Sequence, residues 1–197
     1  FIPMNHFEDE NSKTIPLSKV QLNVNYALVI TTNAGLWRYL IGDTIKFTSL
    51  EPHRIRITGR TKHFINVFGE ELIIDNVETA LTKACLKTNC EVSEFTVAPI
   101  FMNGNKSGGH EWIIEFKKHP ENIDYFTEIL DNAIKAINSD YEAKRYNNLT
   151  LALPKINVAR EGVFYDWLKQ KGKLGGQHKV PRLSNSRNYL EELLNMN

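Results

Sequence analysis

At 197 residues the chain is long enough for one domain or a small pair, with a sizeable core. Apolar residues make up 42% and charged residues 24%, with a net charge of +1, the profile of a soluble globular protein. That balance gives bulk electrostatics no footing for nucleic acid or a membrane surface. No apolar run approaches a bilayer span, no secretory signal opens the chain, and Cys85 and Cys90 make no disulfide framework, so a reducing cytoplasm is the expected setting. The chain opens on Phe1 instead of a methionine, which reads as a piece of something longer.

The first residues, Phe1 to Met4, suggest a short strand, and Glu8, Asp9 and Glu10 a solvated acidic loop with no metal partners at useful spacing. Tyr26 to Thr31, Leu36 to Leu40, Thr44 to Leu50 and Arg54 to Thr58 carry the β-branched and aromatic residues of short strands. Such a meander suits a small barrel or a sheet packed on a larger neighbour. Beyond Gly69 the pattern changes. Val77, Ala80, Leu81, Ala84 and Cys85 form the stripe of an amphipathic helix over 74–88, with Asp75 at its favourable end and Cys85 as core filler.

Glu94 to Met102 and Glu111 to Lys117 predict a hairpin, and the Gly108-Gly109 pair within its turn is loop chemistry, since no helix or Lys-Ser/Thr pair follows. One long helix is expected from Asn122 to Tyr146, a strand at Lys155 to Ala159, a helical stripe at Val163, Phe164, Trp167 and Leu168, and a last helix over 186–196. This order predicts an α+β layer with helices on one face of a small sheet. Between the last two helices, residues 171–183 hold four cations, His178, two adjacent glycines and Pro181, the composition of a mobile basic surface loop.

Two stretches carry chemistry. Ile57 to Leu72 reads ITGRTKHFINVFGEEL, in which Gly59 interrupts a strand and Arg60 and Lys62 bring two cations together before apolar residues resume. It is either a charged turn in an ordinary hairpin, which spacing alone favours, or a joint beside an anion-binding site. Tyr26 to Asp43 reads YALVITTNAGLWRYLIGD, ending in Gly42-Asp43.

Together, in this order, "TTNAGLWRYLIGD … ITGRTKHFINVFGEEL" resembles the auxin-responsive Gretchen Hagen family of acyl-acid amido synthetases, adenylate-forming enzymes in the superfamily of firefly luciferase. The resemblance extends to the loop near the end, where Gln177, Lys179, Pro181 and Arg182 match a Gln-x-Lys-x-Pro-Arg pattern. It implies an α+β chain: residues 1–60 as the strand-rich remnant of a large adenylating domain, and residues 61–197 as a small, mobile C-terminal α+β lid. It further implies ATP with Mg2+, a small carboxylic acid and an amino acid as reactants, the acid being adenylated and its acyl group passed to the amine.

By the same resemblance Asp43 holds the ribose hydroxyls, Arg60 lies near the ribose or phosphate, and Tyr39 and Trp37 wall the nucleotide pocket or pack the sheet. Lys62 falls at the hinge about which the C-terminal domain rotates. Lys179 is the mobile lysine that neutralises charge during adenylation, with Lys173 as runner-up. No protein metal site is implied. The Ser/Thr/Gly-rich phosphate-binding loop is absent from these residues, and Asn66 stands where many superfamily members carry a lysine. The phosphate loop and acid pocket are therefore expected in a missing N-terminal part, and this chain alone should not complete the reaction. The alternatives are an acyl-CoA synthetase-like enzyme and a non-catalytic binding module that has kept the fold.

Overall fold

A computed structural model describes residues 1–7, 12–61, 64–104, 106–173 and 179–197. The acidic loop at Glu8 to Glu10, the hinge position Lys62 and the loop residue Gln177 lie outside the described residues. The chain divides into two compact units, residues 1–64 with 73–75 and residues 65–72 with 76–197. Among the described residues no helix is long and apolar enough to cross a membrane.

The first unit is built on a four-stranded antiparallel sheet in the order β1 (Ile2–Pro3), β2 (Asn25–Ile30), β3 (Tyr39–Leu50), β4 (His53–Arg60). Its strands alternate, so it packs two clusters: Met4, Ala27, Phe64 and Ile73 form one, and Val20, Tyr26, Ile45 and Phe47 the other. Phe1 meets Tyr26 and Phe47 edge-on, at ring separations of 6.1 and 5.2 Å. The two strands expected at 36–40 and 44–50 are one strand. Gly42, at φ +91°, lets β3 run on through Gly42-Asp43, and the irregularity appears as a register shift opposite, between Ala27 and Val29.

The chain passes between the units along the ribbon β5 (Phe64–Ile65) and β6 (Leu72–Ile73) and the start of α1 (Ile74–Thr88). The second unit then forms a three-stranded sheet ordered β7 (Glu91–Ile100), β8 (Gly109–Lys118), β9 (Lys155–Ala159). β7 and β8 pair antiparallel as the predicted hairpin, while β9 runs parallel to β8 after a helical crossover.

Helices cover both faces of this sheet, not one. Ile113 packs with Val163, Phe164 and Trp167 of α4 (Val163–Gln170) and with Leu190 and Leu193 of α5 (Asn188–Met196). On the opposite face Phe116 meets Phe126 of α2 (Ile123–Lys135), and His110 stacks on Tyr141 of α3 (Ser139–Arg145). The central strand β8 is accordingly buried along its first eight residues, without the alternation of a one-sided sheet.

The single helix expected at 122–146 is two. Asn122 caps α2 by accepting from the Tyr125 amide at 2.9 Å, but Asn138 takes an extended backbone and caps α3, accepting from the Tyr141 amide at 2.8 Å. The Asn138 side-chain amide also donates to the Glu70 carbonyl at 2.9 Å, so a tertiary contact fixes the break. α1 and β9, by contrast, occupy the expected spans, with Val77, Ala80, Leu81 and Ala84 buried on α1.

Candidate functional site

Asp43 and Arg60 become neighbours because β3 and β4 pair antiparallel. They are directly opposed in the register, and Arg60 Nε lies 3.1 Å from Asp43 Oδ1. The backbone beside them is closely fixed. The Thr61 amide donates to the Gly42 carbonyl at 2.9 Å, and a side chain at Gly59 would place its Cβ 2.8 Å from Ile74 Cγ2.

Behind the pair lies a buried polar trio. Thr58 Oγ1 sits 2.6 Å from Asn25 Oδ1 and 3.0 Å from Thr44 Oγ1, tying β2, β3 and β4 together at the level of Asp43. Among the described residues the Asn25 side-chain amide nitrogen has no hydrogen-bond partner. The ion pair itself is open: the Arg60 side chain is 65% exposed and that of Asp43 26%. An exposed pair of this kind adds little stability, yet presents a carboxylate acceptor and a guanidinium fork side by side. It could accept two hydroxyls and oppose an anion, as a ribose phosphate requires. Tyr39 and Trp37 are both exposed and lie outside the buried clusters of the described residues.

The lysine candidates belong to the second unit. Lys173 follows the end of α4 and Gly172, its amide donating to the Leu168 carbonyl at 2.9 Å, and its side chain is exposed. Lys179 is also exposed, but the residues after it do not form the loose loop that composition suggested. Val180 and Leu183 are buried, Leu183 bridges Val97 in parallel, and the Thr96 hydroxyl donates to the Pro181 carbonyl at 2.6 Å. The segment lies along the free edge of β7. Residues that look too few to bury a loop suffice when a sheet edge supplies the partners.

Arg182 secures the segment between Glu94, at 2.8 Å, and Glu78, at 2.5 Å, with its guanidinium over the Phe95 ring. Burial alone would lower its pKa, but the two carboxylates outweigh that and raise it. Lys179 is thus carried on a firmly held stem.

Sequence reading missed a buried polar network in the second unit. Glu70 is fully buried, with His110 Nε2 2.8 Å from its Oε1 and the Phe68 amide donating to its Oε2 at 2.7 Å. Tyr141, stacked on His110, donates to Asp131 at 2.8 Å, and Asp131 receives Arg145 through Nε at 2.7 Å and Nη2 at 3.1 Å, with Lys135 at 2.9 Å. Burial would raise the Asp131 pKa, but Arg145, Lys135 and Tyr141 together hold it below the usual carboxylate value. His110 is 40 residues from Glu70, beyond any local pattern.

Asn66 is fixed within the same unit. Its amide donates to Asn185 Oδ1 at 2.9 Å, and its own Oδ1 accepts from the Glu71 amide at 3.0 Å. The asparagine thus shapes the turn before β6 instead of presenting a reactive group. Among the described residues no group of three or more His, Cys, Asp or Glu converges in a way that could hold a metal ion. An open cleft of about 410 Å³ between α4 and α5, lined by Trp167, Lys171 and Glu192, contains none of the predicted site residues.

Comparison with known proteins agrees with this two-part architecture. Residues 1–60 match the GH3 family central domain and residues 75–188 the GH3 family C-terminal domain. The indole-3-acetic acid-amido synthetase GH3.3 of Arabidopsis thaliana is 24% identical over 195 residues, which cover 92% of this chain and 32% of that protein. The jasmonoyl–L-amino acid synthetase JAR6 of Nicotiana attenuata is 25% identical, over 95% of this chain and 34% of its own length. Among solved structures, the GH3.15 acyl acid amido synthetase superposes with a TM-score of 0.68 at 22% identity, over 92% of this chain and 35% of that one. The chain spans about a third of the length of the curated relatives it matches. With its central and C-terminal domain signatures in order and a fold to match, the chain belongs to the GH3 (Gretchen Hagen) family.

Proposed function

We propose that this chain supplies the central and C-terminal domains of an ATP-dependent acyl-acid amido synthetase, which adenylates a small carboxylic acid and transfers the acyl group to an amino acid. The observation that carries this reading is the ordered match to both GH3 domains across nearly the whole chain. The names of the relatives support the reaction class, since they include auxin- and jasmonate-amino acid synthetases and a 4-substituted benzoates-glutamate ligase.

In this proposal the Asp43 carboxylate accepts the ribose hydroxyls of the nucleotide and Arg60, its opposed partner, faces the ribose phosphate. Tyr39, exposed on β3, is a wall of the nucleotide site. Lys179 brings its ammonium to the forming acyl phosphate, where it offsets the negative charge that builds between carboxylate and α-phosphate. Lys62 is the pivot for the change between adenylation and transfer. Mg2+ enters with ATP as part of the substrate, and the phosphate-gripping loop belongs to a portion of the full-length protein outside this chain. The setting is the cytoplasm.

ATP–pyrophosphate exchange by the full-length protein across a panel of carboxylic acids tests this. Acid-dependent exchange that Lys179→Ala reduces by at least about a hundredfold is expected, the scale on which loss of one transition-state charge contact is felt. No exchange with any acid, from a folded protein that fails to bind ATP, refutes the reading and leaves a binding module. Acid-dependent AMP release that needs CoA and no amine assigns the chain to acyl-CoA chemistry instead.

A further inference from the structure

The C-terminus of α1 ends in a tight cap, and both positions that meet across it are cysteine. Asn89, at φ +51°, turns the chain left-handed directly after Thr88, and the Cys90 amide then donates to the Cys85 carbonyl at 3.2 Å. A hydrogen bond over this span brings the residue after the left-handed turn against the residue three positions before the cap, a contact commonly made by apolar side chains. Here both positions carry thiols, and the Thr88 hydroxyl donates to Cys90 Sγ at 3.3 Å. Cys85 is half-buried and Cys90 buried, and the sequence contains no other cysteine.

We propose that Cys85 and Cys90 are a redox-modification site, closing a reversible intrachain disulfide across the end of α1 with a small-molecule disulfide such as oxidised glutathione as the oxidant. The more accessible Cys85, as thiolate, attacks one glutathione sulfur, forming a mixed disulfide and expelling one glutathione thiolate. Cys90, deprotonated, attacks the Cys85 sulfur, closes the protein disulfide and expels the second glutathione. Two protein thiols are oxidised, one glutathione disulfide is reduced to two thiols, and the two cysteine protons end on those thiols. The cap brings the Cys90 backbone within hydrogen-bond distance of the Cys85 carbonyl, and excess thiol restores the reduced form.

Burial, reinforced by Cys90, pushes the Cys85 thiol up to about 12. Thiolate is therefore scarce at neutral pH, and closure is slow without a catalyst. This inference is independent of the proposed acyl transfer, so the failure of one leaves the other standing.

The test incubates the full chain with oxidised glutathione at mildly alkaline pH and follows intact mass and non-reducing electrophoresis. The wild type is expected to lose two hydrogens in mass, form no intermolecular disulfide, carry no glutathione, retain its circular dichroism, and regain both hydrogens with dithiothreitol. Cys90→Ser is expected to stop at one glutathione on Cys85. Persistence of both free thiols, stable glutathione on both cysteines, a disulfide-linked dimer, or closure only in urea would each overturn the proposal.

Discussion

The two units each contain an aspartate–arginine pair, and the pairs have opposite characters. In the second unit Asp131 and Arg145 are joined by two hydrogen bonds with side chains only 3% and 7% exposed, and Tyr141 and Lys135 complete the shell. In the first unit Asp43 and Arg60 share one contact across a strand pair, with the arginine side chain largely in solvent. Removing two charges from water is costly, so the buried pair persists because each partner satisfies the other, with Tyr141 and Lys135 also on Asp131 and the Leu151 carbonyl also on Arg145. The open pair is weakly held and free to exchange its contacts for a ligand's. The same two residue types serve as a structural lock in one setting and as a presented recognition surface in the other.

Asp131→Ala should separate the two pairs most widely. It leaves Arg145 buried without its carboxylate and should destabilise the chain by about 3–5 kcal/mol in urea unfolding. The wild-type pair also predicts an acid limit. The folded-state pKa of Asp131 is depressed, so its contribution is complete above the unfolded carboxylate value of about 3.9 and disappears as pH falls through the lower folded value. An acid unfolding midpoint that Asp131→Ala leaves unchanged would contradict this.

A smaller loss is expected from Gly108→Ala, whose Cβ would collide with the Phe68 ring. The overpacking should cost about 1–3 kcal/mol, measured the same way, and would identify Gly108, directly before β8, as a packing site. The smallest effect on stability belongs to Asp43→Ala, within about 1 kcal/mol of wild type. If the open pair recognises nucleotide, that variant nevertheless weakens ATP binding by the full-length protein at least about tenfold, the equivalent of one charge-assisted hydrogen bond. Equal and negligible effects on both readouts would remove the distinction between the two pairs.

The parts legible in the sequence are those set by neighbours along the chain. α1 and β9 follow from their own periodicity, because a stripe at helical spacing or a short β-branched run needs only some apolar surface to pack on. The pairing of Asp43 with Arg60 was half-legible: the motif singled out both residues, and the antiparallel return of β4 on β3 made them partners. The helix break at Asn138 carried a local signal, an asparagine three residues before Tyr141 at a cap position, obscured by apolar periodicity on either side.

Most helices and strands and the family motifs could be read from the chain alone, since propensity, periodicity and residue order are local properties. Tertiary structure decided which faces of the sheet are covered, why Val180 and Leu183 are buried beside an exposed Lys179, and that Glu70 meets His110. Those outcomes depend on surfaces contributed by residues far away in the chain. The free energy of burying a side chain is set by what closes over it, which no local pattern records.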